Sequence, residues 1–216
     1  MRGTGPGDTT KAGQVGIVAV RQDLTRGLDL VEATGERSKE GSMDVAAVSQ
    51  EMEEARVTFH ALVRHATATD LRLRTAGTRW TNRQLLFHMV FGYLVVRTLR
   101  PFVRGFGRLP ITWSRRFSAA LHAVRRPYHL VNYLGSCVGG TLLSPSQSAA
   151  LLDRAIAVLR HGLATETEQD LARRMAFPVS WDPYFRDTMS LLDVYHFGTQ
   201  HFEHHRRQLT LDDQPR

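Results

Sequence analysis

The chain has 216 residues, 42% hydrophobic and 23% charged, with ten His and a single Cys, and carries a net charge of +7. This is a globular composition, of a length that makes one domain with a tail. Cys137 alone permits neither an intramolecular disulfide nor a thiolate zinc cluster, so any metal site must rest on His and carboxylates.

A reducing, cytoplasmic setting is expected, because no basic start followed by an apolar core marks a signal peptide. The longest apolar run, Leu85 to Val96, contains His88 and is far shorter than the roughly 20 residues of a spanning helix. No acidic residue lies between Asp70 and Asp153, whereas twelve Arg lie between Arg72 and Arg126, so the middle carries the excess charge. Lys11 and Lys39 are the only lysines, which reads as GC-rich codon usage as much as anion binding.

Residues 1–42 are rich in Gly, Thr and scattered charge and read as a poorly ordered tail. The bundle domain is expected over 43–210, with a short tail at 211–216. Val45, Val48, Met52, Ala55, Phe59, Leu62 and Ala66 recur at steps of three and four and predict a first helix over 43–69. Thr81 and Gln84 have capping-box spacing and open a second helix whose inward stripe runs Leu85, His88, Phe91 or Gly92, Val95, Leu99 and Phe102, ending by Gly105. Residues 110–143 fit helix or loop: Ser114 to Arg126 suits a short helix, Pro127 interrupts, and Gly135, Gly139 and Gly140 dilute the apolar stretch after it. Ser144, Pro145 and Gln147 start a third long helix over 145–163. Asp182 as cap and Pro183 as first residue predict a fourth helix from 183 to about 209. No strand pattern of useful length appears. Four amphipathic helices predict an all-α up-down or crossover four-helix bundle.

On the fourth helix the stripe Leu191, Val194 or Tyr195, Gly198 continues as His201 and His205. Residues four apart lie about 40° apart around a helix, so both rings can reach one ion. His88 is the only other histidine in a long helix's apolar stripe and is the natural third ligand. Three imidazoles leave one position for water, the arrangement of a catalytic metal.

The run His201-Phe-Glu-His204-His205-Arg-Arg-Gln208-Leu209 resembles the HxxHHxxQ ending of the DinB/YfiT-like superfamily of metal-binding four-helix bundles, and Trp80-Thr81-Asn82-Arg83-Gln84 through His88 resembles its second-helix segment. The likeness covers about 43–209, with Gln84 where an acid is frequent and Arg207 where Gly is. It implies a four-helix bundle, to which the residue pattern adds a crossover connection and an irregular insert between helices 2 and 3. It also implies a divalent ion, zinc or nickel, on His88, His201 and His205. The implied activity is thiol-dependent: a mycothiol-type S-transferase or isomerase acting on a small electrophile, often as a homodimer. The alternatives are a non-catalytic metal-binding stress-response bundle, or a binder of nucleic acid or another anionic surface through residues 71–126.

Gln208 and His204 are candidates to support the ligands, and Arg97, Arg100 and Arg104 are candidate anion binders beyond His88. A solvated face suits Glu203. His196, about 140° from His201 around the helix, is not expected to ligate. Cys137 reads as a small buried hydrophobe, Trp80, Trp113 and Trp181 as packing anchors, and His122 and His129 as residues that could border the pocket.

Overall fold

The structure, a computed structural model, describes residues 45–211; the expected tail at 1–42, the start of the first helix and residues 212–216 lie outside them. Seven helices and one small hairpin make up the described chain. α1 spans 45–65. After a 3-10 turn at Asp70–Arg72 come α2 (Asn82–Phe106), α3 (Ile111–Ala123), α4 (Arg125–Leu142), α5 (Pro145–Thr165) and α6 (Glu168–Leu171). The strands β1 (Arg174–Ala176) and β2 (Thr188–Ser190) pair antiparallel ahead of α7 (Leu191–Arg206).

The helices α1, α2, α5 and α7 form the bundle. α1 turns Met52, Ala55 and Phe59 into the core at the predicted spacing. Glu53 and His60 join its outer side to Arg160 and Asp153 of α5, and Glu51 joins it to His196 of α7. α2 is central and packs on α4, α5 and α7. It therefore buries more than one stripe: Leu86, Met89, Val90, Tyr93 and Val96 are buried with Leu85 and His88, whereas Phe102, expected inside, is 42% exposed. Each large apolar side chain buried here contributes about 1.5–3 kcal/mol. Full capping boxes start α2 at Thr81 and α5 at Ser144, as the spacing predicts, and α2 runs one residue past Gly105 to Phe106.

The segment between α2 and α5 is helical, so the expected irregular insert is corrected to a helix pair. The break falls at Val124; Pro127 sits in the first turn of α4, where its missing N–H has no intrahelical acceptor to lose. The glycines of α4 permit close approach to α2: a Cβ at Gly139 would overlap the Phe87 ring, and one at Gly140 would lie 2.7 Å from Gln84 Cα.

The start of the last helix is also corrected. Asp182 and Pro183 do not open it; α7 begins eight residues later, where Ser190 and Asp193 form a capping box. Residues Thr188–Ser190 are held extended by pairing with Arg174–Ala176, a ladder too short to show as an alternating pattern. Among the described residues α2 alone has the length and apolarity to cross a membrane, and half of that stretch is buried against the rest of the protein.

Candidate metal centre

α2 and α7 lie close enough to bring three histidines together. Two glycines make this possible: a Cβ at Gly92 would overlap His201 Cδ2, and one at Gly198 would fall 2.9 Å from the Tyr93 ring. His88 and His201 are buried and His205 is half-buried. Ring centroids lie 4.9 Å apart for His88 and His201, 4.6 Å for His88 and His205, and 4.5 Å for His201 and His205. One ring nitrogen from each falls within 4.8 Å of the other two.

The outer nitrogens decide which nitrogen each ring presents. Ser136 Oγ gives its one proton to the Asn132 carbonyl at 2.9 Å, so at 3.0 Å it accepts from His88 Nδ1–H. His201 Nδ1–H donates to Asp182 Oδ2 at 3.0 Å, and His205 Nδ1–H donates to Gln208 Oε1 at 2.7 Å. Each Nε2 is thereby left as a lone-pair donor. His201 Nε2 is buried without any hydrogen-bond partner, a costly state for a polar atom unless something else binds it.

Burial first, and then the neighbouring imidazoles, hold the His88 ring well below the ordinary histidine range. Burial likewise pushes His205 down to about 3. Both rings are neutral at pH 7, the form in which imidazole ligates a metal. At Asp182 burial opposes the charge, but the hydrogen bond from His201 carries the carboxyl below its usual value.

A cavity of about 170 Å³ adjoins the three rings, with Trp80, Asn132, Trp181, Asp182 and His204 in its wall. The Trp80 ring lies 4.4 Å from His88. Asn132 Oδ1 is buried and unpaired, and His204 Nδ1 is 3.5 Å from the Tyr184 hydroxyl.

The structure thus brings His88, His201 and His205 together, with Gln208 bonded to His205 and His204 in the cavity wall. It places the candidate anion-binding arginines elsewhere. Arg97 is exposed, and Arg100 and Arg104 lie 3.2 and 3.6 Å from the buried Glu166 carboxylate, with no arginine lining the histidine cavity. His196 pairs with Glu51 and His122 bonds Ser180; neither they nor His129 lines the cavity. Glu203 accepts from Arg206 on the outer face of α7. Trp113 is 56% exposed and is no packing anchor, and Cys137 is only half-buried.

Four contributors are absent from the sequence-based set: Asp182, Ser136, Asn132 and Gly92 as the space for His201. Asp182 lies 19 residues before its partner in a non-helical stretch, and Ser136 and Asn132 lie on a helix whose packing no local pattern announces. Only Gly92, already on the His88 stripe, carried a usable signal.

No curated protein and no solved structure matches the chain at a significant level. A family model described as the DinB superfamily matches residues 51–209, from α1 to the end of the histidine motif. On that match the chain belongs to the DinB superfamily.

Proposed function

We propose that this chain is a divalent-metal-dependent enzyme acting on a small molecule, with His88, His201 and His205 as ligands of zinc or nickel. The observation that carries this reading is the common tautomer of the three rings, each with Nδ1–H committed to an acceptor, together with the orphaned Nε2 of His201. When bound, an ion with three protein ligands supplies Lewis acidity and lowers the pKa of a thiol or water at its exchangeable position. The reaction we put forward is S-transfer or isomerisation of a small electrophile, with a low-molecular-weight thiol such as mycothiol as cofactor.

In this reading the chain's own residues divide the work. Ser136, Asp182 and Gln208 fix the ring orientations. Asn132 Oδ1 accepts a hydrogen bond from the bound molecule, and His204 in the cavity wall takes or returns a proton. Trp80 and Trp181 cover the rings and keep bulk water out.

Binding of an anionic surface by the basic middle is less well supported, since Arg74, Arg83, Arg100 and Arg104 already have partners within the protein. The test is thiol conjugation to a small electrophile followed by absorbance. Chelation and His88→Ala should each lower the rate at least a hundredfold, and added zinc or nickel should restore only the chelated wild type. An equal rate in the stripped protein would rule the reading out.

A further inference from the structure

Next to the histidine cavity lies a second one of about 340 Å³, walled by Leu94, Leu99, Phe102, Phe117 and Phe177 among others. Four residues, Phe91, Val95, Tyr128 and Trp181, face both cavities, so at most one layer of side chains separates them. The walls include stacked aromatic pairs: Trp181 on Tyr128 at 3.8 Å, and Phe117 on Phe102 at 5.9 Å. Of the side-chain polar groups of the larger cavity, Thr98 Oγ1 is engaged with the Leu94 carbonyl and Trp181 Nε1 with the Leu121 carbonyl, which leaves the Tyr128 hydroxyl, on the wall shared with the smaller cavity. The unpaired atoms, His201 Nε2 and Asn132 Oδ1, belong to residues of the smaller cavity.

Polarity is therefore divided between two adjoining chambers, and water in the larger one finds few partners. We infer that the substrate is amphipathic: a polar, metal-seeking end meets the histidines, and an apolar body of one aromatic ring with a side chain, or a medium alkyl chain, fills the larger chamber. The size follows from the volume, roughly twice the ~150 Å³ that holds a benzene. Such a division, apolar walls with a few placed polar groups, is the usual build of a small-molecule site. It rests on the metal-site reading and adds the substrate class to it.

The experiment is a titration of the full-length protein, loaded with cobalt, with a hydroxamate series from acetohydroxamate to octanohydroxamate, followed by the visible cobalt spectrum. Each added methylene should tighten binding about fourfold until the chamber is full. Leu99→Trp and Thr98→Phe should flatten that gain; Thr98 is exposed, so its variant guards against a misfolded Leu99→Trp. If acetohydroxamate binds and longer chains bind no better, the apolar chamber is overturned and the metal site stands. If cobalt is not taken up, or no hydroxamate of any length perturbs its spectrum, the metal reading falls and this inference with it.

Discussion

Two of the buried polar clusters on α2, one at His88 and one at Arg100, lie about 18 Å apart along the helix. At the second, Glu166 receives Arg100 at 3.2 Å and the Tyr195 hydroxyl at 3.2 Å, while the Arg100 guanidinium lies 5.0 Å from the centre of the Tyr195 ring. Each cluster leaves atoms without a hydrogen bond: Arg100 Nε and Glu166 Oε2 in one, His201 Nε2 and Asn132 Oδ1 in the other. In the Arg100 cluster those atoms belong to opposite charges that answer each other. In the histidine cluster they are a ring nitrogen and an amide oxygen, and neither meets a charge or a hydrogen-bond donor of the protein. The first cluster is complete as architecture; the second keeps two acceptor atoms that nothing in the protein satisfies.

The contrast can be broken from either side. Glu166→Ala leaves Arg100 buried without a counter-charge and should cost about 3–5 kcal/mol, read as a lower urea midpoint, while the folded fraction keeps its metal. Gly92→Ala forces a methyl against the His201 ring and should cost about 1–3 kcal/mol and also weaken metal binding, measured by competition with a chelator. Asp182→Asn keeps the shape but removes the charge behind His201, and should lower metal affinity by about 10–100-fold with little change in unfolding. Gln208→Ala should sit at the lower end, about tenfold, because its bond to His205 is uncharged. His204→Ala should leave metal content unchanged and slow turnover alone; loss of the ion in this variant would mean that His204 is a fourth ligand.

The same contrast bears on what could be read from residues alone. Helix starts with reciprocal chemistry, Thr81 with Gln84 and Ser144 with Gln147, were legible because a capping box is a local pattern. The histidine set was legible because helical spacing turns an apolar stripe into imidazoles at His201 and His205. Asp182 looked like a helix cap because an Asp before a Pro has that signature; its bonds to the Tyr184 amide and to His201 depend on a hairpin of three-residue strands. Arg100 and Arg104 looked available because their partner, Glu166, lies far along the chain at the end of α5. α4 was ambiguous because its glycines weaken helix propensity, yet they let it pack on α2 and deliver Ser136 to His88.

The most direct test of the metal site is elemental mass spectrometry on protein purified without a metal-affinity tag, comparing wild type with His88→Ala and with the double variant His201→Ala/His205→Ala. The account predicts close to one divalent ion per wild-type chain and its loss from both variants, with helical circular dichroism retained. A wild type without metal, or variants that keep it, would contradict the account and leave the three imidazoles as core side chains.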